Sequence, residues 1–251
     1  MQRFFVNPEI LTSDEIDLPT EIGHQLVRVL RSRVDDRLVL CPGDGAEWIV
    51  AIADIQGKSV RVRKVETRTP EVDLRCDLHV AVAVLKGEKL DWTLQKLTEL
   101  GARSISLLTT ERTISSAGEE RWSKRIDRYR RIVREAAEQC GGTRVPEVHE
   151  PRKVAELLVT VGPEYARLIL DPYAERSLTT ALAPCPERVL LLIGPEGGFS
   201  VDEVRSAAEQ GATPVKLGRR VLRAETAALA AATLVANASE PQEEEPRATG
   251  K

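Results

Sequence analysis

Residues 189–203, VLLLIGPEGGFSVDE, and a second stretch at 215–230, VKLGRRVLRAETAALA, decide how this 251-residue chain is read. The run 189–193 is unbroken, apolar and of strand length, the pattern of a strand buried on both faces. Gly194, Gly197 and Gly198 free the following turn to take positive φ or to let a ligand approach the main chain. Ser200 and Glu203 stand at capping-box spacing, which predicts a helix beginning at Ser200 with exposed N–H groups in its first turn. The second stretch repeats this plan: a short strand to Leu217, Gly218 at the turn, Arg219, Arg220 and Arg223, then an alanine-rich helix over about residues 226–238. Paired strand-to-helix turns commonly hold a cofactor. Neither contains G-x-G-x-x-G or Gly-Lys-Ser/Thr, so a nucleoside triphosphate or a dinucleotide does not fit them. Gly-Pro-Glu-Gly-Gly alone reads equally well as an ordinary strand-to-helix turn; the two stretches together are far more specific.

Working outward, the chain changes character near residue 70. Residues 1–69 read as short β elements with turn signals at Asn7-Pro8 and Pro42-Gly43-Asp44-Gly45. They end in the alternating SVRVRKVE at 59–66, where Val60, Val62 and Val65 among charges predict one buried and one wet face. A small β-barrel is the expectation, with Thr69-Pro70 as linker. From about Leu74 strands and helices alternate, which predicts an α/β domain with a largely parallel sheet over 70–238. HVAVAVL at 79–85 is its first buried strand, Leu90, Leu94, Leu97 and Leu100 mark a helix stopped by Gly101, and 104–109 is the next strand. Trp122, Ile126, Tyr129, Val133, Ala136 and Cys140 form the apolar stripe of a long helix ended by Gly141-Gly142, with arginines on its other face. Another strand is expected at 167–170, before Asp171-Pro172. The polar, proline-containing 239–251 is expected to be a disordered tail.

Composition narrows the class. An apolar content of 42% suffices for an ordinary core, which the few aromatics make aliphatic. Cys41, Cys76, Cys140 and Cys185 form no C-x-x-C, which argues against a zinc cluster or redox dithiol and fits a reducing cytosol. His24, His79 and His149 stand apart in sequence and suggest no metal site. No apolar run nears the roughly 20 residues of a membrane span, and no basic-then-apolar signal opens the chain, so a soluble cytoplasmic protein is expected. A net charge of −3 gives no overall pull toward nucleic acid. Such affinity would rest on local clusters: Arg28, Arg31 and Arg33; Lys58, Arg61, Arg63, Lys64 and Arg68; and seven cations against Asp127 over 121–134. The last is either a solvated face or a contact surface for phosphate or a second subunit.

GPEGG followed by a helix, then LG-x-x-VLR-x-ETA, resembles the SPOUT class of S-adenosylmethionine-dependent RNA methyltransferases, and within it the enzymes that methylate N3 of a uridine in bacterial 16S rRNA. The resemblance runs from MQRFFV at 1–6 through HQLVRVLR at 24–31, KGEKLDWTLQKLTELG at 86–101 and EQCGGTRVPEV at 138–148 to Ala230. It implies an N-terminal PUA-like or OB-like barrel that docks RNA, a homodimer with each active site near the subunit interface, and the small ribosomal subunit as partner. It also implies a sheet closed by a trefoil knot, which pattern reading cannot reach, since threaded chains are almost absent from proteins. By the same resemblance S-adenosylmethionine sits among three loops: Leu170 and Asp171 in the first, Gly194, Pro195, Glu196, Gly197 and Gly198 in the second, Leu217, Gly218, Leu222, Thr226 and Ala227 in the third. Arg3, Arg28, Arg31, Arg33, Lys86 and Arg144 are the implied RNA contacts. Gly142 replaces the arginine usual after E-Q-[SC]-G, and Arg144 is its substitute.

Methyl transfer from a sulfonium asks the protein chiefly for alignment. A neutral adenosyl group is held best by main-chain groups in tight turns, which accounts for glycines where a phosphate site carries lysine; the bland alternative is that these residues only pack strand ends. Uracil N3 bears a proton that must leave, so the site needs a base or a cation that acidifies the imide. Arg223 and Glu225 are the candidates, Arg223 to stabilise charge on the carbonyl oxygens and Glu225 to accept a proton or orient Arg223. The competing reading is an Arg223–Glu225 ion pair fixing the loop. Glu196 either touches the cofactor or caps a neighbouring amide, and Lys96 with Glu99 reads as a solvated pair. The small side chains of the last helix suit dimer packing. Two other functions stay open: ribose 2′-O methylation, and ribosome assembly without catalysis.

Overall fold

The structure, a computed structural model, describes residues 1–113 and 119–240. The expected tail from residue 241 onward and the side chain of Arg121 lie outside the described residues. The chain falls into two compact units, Met1–Asp73 with Arg130–Pro146, and Leu74–Tyr129 with the described residues from Glu147 onward.

In the first unit β1 (Gln2–Phe5), β2 (Glu15–Asp17), α1 (Thr20–His24), β3 (Arg37–Cys41), β4 (Glu47–Gln56) and β5 (Ser59–Arg68) follow in order, α1 running on into a π-helical turn at Gln25–Leu30. The sheet order is β1-β3-β4-β5-β2, and no pairing joins β1 to β2 among the described residues. Phe4, Ile16, Leu26, Leu38, Leu40, Val50, Ile52, Val60 and Val62 form its core. Val65 does not join them and is 40% exposed. Lys64 pairs with Val50 and Glu66 with Ile49, so Val65 is the extra residue of a bulge that breaks the alternation. Glu47, 1% exposed, lies between Arg3 Nη1 at 2.5 Å and Arg68 Nε at 2.6 Å. Burial works against its charge, but the two guanidiniums outweigh burial and hold its pKa below the usual carboxylate value.

The second unit contains β6 (Asp77–Ala83), α2 (Lys89–Glu99), β7 (Ser104–Thr109), the start of α3 (Glu119–Cys140), β8 (Glu147–Lys153), α4 (Val154–Thr160), β9 (Ala166–Leu170), α5 (Leu178–Ala181), β10 (Arg188–Ile193), α6 (Val201–Glu209), β11 (Thr213–Val215) and α7 (Ala224–Ser239). Its sheet, β11-β9-β10-β6-β7-β8, is parallel throughout. β10 lies inside it, paired with β9 and β6, and Leu190, Leu191 and Leu192 are wholly buried, each worth roughly 1.5–3 kcal/mol over exposure. Leu190 and Leu192 pack with Leu157 of α4 and Ala207 of α6. α7 lies against β10, β6 and α2, with Ala228, Ala231 and Ala232 fully buried. These alanines pack inside the chain, while Ala227 and Ala230 of the same helix are half-buried.

The final stretches differ in detail from expectation. β11 stops at Val215 rather than Leu217, because Lys216 turns to bridge Ser177. α7 starts two residues early, at Ala224, with Arg223 as its N-cap. α3 buries Trp122, Ile126, Tyr129, Val133 and Ala136, leaves Cys140 exposed, and is stopped by Gly141 at φ 83°. From Arg130 α3 belongs to the first unit, where Phe5 N donates to Glu138 and Arg134 donates to Phe5 O. No helix among the described residues is long and apolar enough to cross a membrane.

At the opposite end of the parallel sheet from its strand-end loops, His79 is 7% exposed and 2.9 Å from Ser106 Oγ, with the His149 ring 6.0 Å away. Two histidines distant in sequence are therefore spatial neighbours, yet no group of three or more potential ligands among the described residues gathers for a metal. Burial first, then the charge of His149, push the His79 pKa down from 6.5 to about 4. The unfolded chain binds this proton near 6.5 and the folded chain only near 4, so stability falls as pH drops through that window. The full effect is on the order of 3 kcal/mol. Urea denaturation at about pH 7 and about pH 5 is expected to show lower stability at the acid value, with the slope flattened in His79→Asn; equal slopes in both proteins would exclude His79 as the cause.

Candidate active site

In a parallel sheet the free strand ends all point one way, so the loops after β9, β10 and β11 open on one edge and form a crevice there. Its space is about 580 Å³, solvent at the open side included. Leu170, Asp171 and Pro172 come from the first loop, Ile193, Gly194, Pro195, Glu196 and Gly198 from the second. Val215, Lys216, Leu217, Gly218, Arg220, Val221 and Leu222 come from the third, and Ala224 and Ala227 from the start of α7. Of the residues singled out for a cofactor, Gly197 and Thr226 are not in this lining. Thr226 is on the exposed side of α7, one helical step from Ala227.

The turn after β10 is tight for identifiable reasons. A Cβ on Gly194 would stand 3.0 Å from Phe199 N and 3.2 Å from Gly198 C, so a side chain here would have to push the returning backbone aside. Gly198, at φ 69°, donates its N–H to Pro195 O at 2.8 Å and closes the loop. Arg112 Nη1 donates to Gly197 O at 2.6 Å and so ties this turn to the segment after β7. Ser200 and Glu203 form the expected capping box, Ser200 Oγ accepting from Glu203 N and Glu203 Oε2 from Ser200 N. Asp171 spends one carboxylate oxygen on its own loop, accepting from Tyr173 N at 3.0 Å.

The third loop is the reverse case. Among the described residues no hydrogen bond within the protein uses the main-chain N–H or C=O of 217–222. A run of unpaired amides beside Leu217, Leu222 and Ala227 can receive the ring nitrogens and hydroxyls of a neutral nucleoside.

Arg223 and Glu225 part company. Arg223 is exposed at the N-terminus of α7, and among the described residues pairs with no carboxylate. Glu225 is turned to α2, where its Oε1 lies 3.4 Å from Lys89 Nζ, and its Oε2 is buried without a partner. Glu225 therefore does not orient Arg223, and the two do not form the alternative loop-fixing pair, because residues two apart on a helix point to different sides. Lys89 also reaches Glu196 Oε1 at 3.5 Å. Sequence reading passed over Lys89, and its signal was its place at the start of a helix between Gly87 and the apolar stripe from Leu90. Lys96 and Glu99 do form the i,i+3 pair expected of them, at 2.6 Å.

The cationic candidates are distributed unevenly. Lys86 is exposed just beyond β6. In the first unit Arg28, Arg31 and Arg33 are exposed, whereas Arg3 is 12% exposed and committed to Glu47 and to Cys41 Sγ. Arg144 pairs with Asp73 at 3.0 Å and donates to the carbonyls of Gly43 and Asp44, pinning the Pro42-Gly45 turn.

Comparison with known proteins finds two family models along the chain. A model described as RNA methyltransferase domain matches residues 72–236, and one described as RNA methyltransferase PUA domain matches 18–65. Ribosomal RNA small subunit methyltransferase E of Synechocystis is 31% identical over 229 residues, covering 90% of this chain and 74% of its own. The Bacillus subtilis protein of that name is 29% identical, over 96% of this chain and 98% of its own. The crystal structure of ribosomal RNA small subunit methyltransferase E from Neisseria gonorrhoeae bound to S-adenosyl methionine superposes with a TM-score of 0.85 at 30% identity, over 92% of this chain and 95% of that one. Fold and crevice thus define the class, an RNA methyltransferase domain carrying an N-terminal PUA domain. Within it, the chain belongs to the ribosomal RNA small subunit methyltransferase E family.

Gly194→Ala is expected to displace the turn and cost about 1–3 kcal/mol, lowering the unfolding midpoint by several degrees. Differential scanning calorimetry checks this; an unchanged midpoint would show that the turn has slack the contacts do not suggest.

Proposed function

We propose that the protein transfers a methyl group from S-adenosylmethionine, held in the crevice after β9, β10 and β11, to N3 of a uridine in 16S rRNA. The coarser statement, S-adenosylmethionine-dependent methylation of small-subunit ribosomal RNA, follows from family membership. The observation that carries the reading is the crevice that 170–172, 193–198 and 215–222 line together, with a third loop whose main chain makes no hydrogen bond within the protein among the described residues. Leu170, Leu217, Leu222 and Ala227 would hold the adenosine, with the amides of 217–222 and the 194–198 turn taking its polar atoms. When bound there the cofactor supplies a methyl on a sulfonium, electrophilic without further activation.

The chain's own task is to place the base, exclude water and deal with the imide proton. Arg223, exposed between Leu222 and Ala224 of the lining, is positioned to meet the substrate and stabilise negative charge on a uracil carbonyl oxygen. Glu225, with one oxygen beside Lys89 and the other buried without a partner, is the proton acceptor of this reading. In this reading the first unit, with Arg28, Arg31 and Arg33 exposed, docks RNA, Lys86 touches a phosphate, the substrate is the assembled small subunit in the cytoplasm, and the enzyme works as a homodimer.

Reverse transcription of 16S rRNA from cells with and without the protein tests the nucleobase assignment, because a methyl on N3 blocks Watson–Crick pairing and a ribose methyl does not. A stop that vanishes with the protein is expected; an unchanged profile would contradict N3 chemistry. Arg223→Ala is expected to lower turnover by about 100-fold or more, while cofactor affinity stays within about twofold. Unchanged turnover would remove Arg223 from the mechanism.

A further inference from the structure

The geometry points to Lys89 as a positioning residue that sets the width of the crevice by tying two of its walls to one ammonium. This rests on the assignment of the crevice to S-adenosylmethionine. Glu196 belongs to the turn after β10 and Glu225 to the first turn of α7, and nothing in the local sequence of either segment brings their carboxylates together. Lys89 Nζ stands 3.5 Å from the first and 3.4 Å from the second, and neither carboxylate has another cationic partner among the described residues.

The base of the lysine is fixed. Lys89 is the first residue of α2, its carbonyl accepts from Thr93 Oγ1 at 2.7 Å, and its neighbour Leu90 is 1% exposed. The ammonium therefore reports the position of α2 to both walls. Glu225 is the more dependent partner, since its side chain is 14% exposed and its second oxygen has no partner. Without Lys89 two carboxylates would face each other with no cation between them, and their repulsion would push the 194–198 turn and the start of α7 apart.

Charge alone predicts the opposite sign, which makes the inference testable. S-adenosylmethionine carries a sulfonium and an ammonium against one carboxylate, so a nearby lysine that acted only through its field would weaken binding, and its removal would tighten it. Lys89 as a positioning residue requires that its removal weakens binding.

The test is calorimetric titration of S-adenosylmethionine into the full-length wild type, Lys89→Met, Lys89→Gln, Lys89→Arg and the double variant Lys89→Met with Glu225→Gln. Lys89→Met and Lys89→Gln are expected to raise Kd about five- to tenfold. Lys89→Arg is expected to stay within about twofold, since its fork reaches both carboxylates. The double variant is expected to recover part of the loss, because the unmatched charge is gone. KM for the cofactor should rise in Lys89→Met and return toward the wild-type value in Lys89→Arg, and unfolding midpoints of the ligand-free proteins should agree within about 2 °C. Unchanged or tighter binding by Lys89→Met and Lys89→Gln, or an arginine variant as weak as the methionine one, would overturn the inference. A wild type that binds no S-adenosylmethionine would overturn the assignment of the crevice itself, and this is read before any variant is made.

Discussion

Parallel pairing of β10 with β9 on one side and β6 on the other is the constraint on which the second unit depends. It demands a strand apolar on both faces, which residues 188–193 supply almost without interruption, and it sends the chain off at the same edge as its neighbours. Once β9, β10 and β11 run together, 170–172, 194–198 and 215–222 share one edge, and the crevice follows from topology. Glycines then decide how closely the walls approach. Gly194 removes a side chain where the backbone turns back on Phe199, and Arg112 donates to the Gly197 carbonyl of the same turn.

Electrostatic commitments within each unit reassign several residues that composition alone counts as free charge. Arg3 and Arg68 neutralise the buried Glu47, and Arg144 pins a turn through Asp73 and two carbonyls. In the second unit Lys89 is shared by Glu196 and Glu225. What stays uncommitted is equally informative: Arg223 at the start of α7 and Arg28, Arg31 and Arg33 in the first unit are exposed. A chain of net charge −3 can address a polyanion with such local groups because long-range repulsion is screened at physiological salt over about 8 Å.

The elements legible in the sequence were those whose signal is local. The apolar run of β10, the capping box at Ser200 and Glu203, the glycine stops of α2 and α3 and the alternation up to Val62 all depend on neighbours within one or two turns. α1, β8, α4 and α5 were missed: α1 stands in a stretch read as short β elements, β8 edges the sheet with the mixed sequence EVHEPRK, and the three helices are of five, seven and four residues, too short for periodicity to register. The bulge that turns Val65 outward depends on the register of β4, and the π-helical continuation of α1 has no pattern of its own. At the crevice, most lining residues were legible because motif and loop coincide. The pairings of Glu225 and Arg3 were not, since they join segments 136 and 44 residues apart, and sequence spacing carries no information about such distances.

The central claim is that unpaired main chain at 217–222 receives the nucleoside of S-adenosylmethionine. Hydrogen exchange at these amides, followed by mass spectrometry with and without saturating S-adenosylmethionine, tests it most directly. In the free protein they should exchange nearly as fast as an unstructured chain, and with the cofactor they should slow by about tenfold or more. Exchange at 217–222 that stays fast while the cofactor is demonstrably bound would contradict the account.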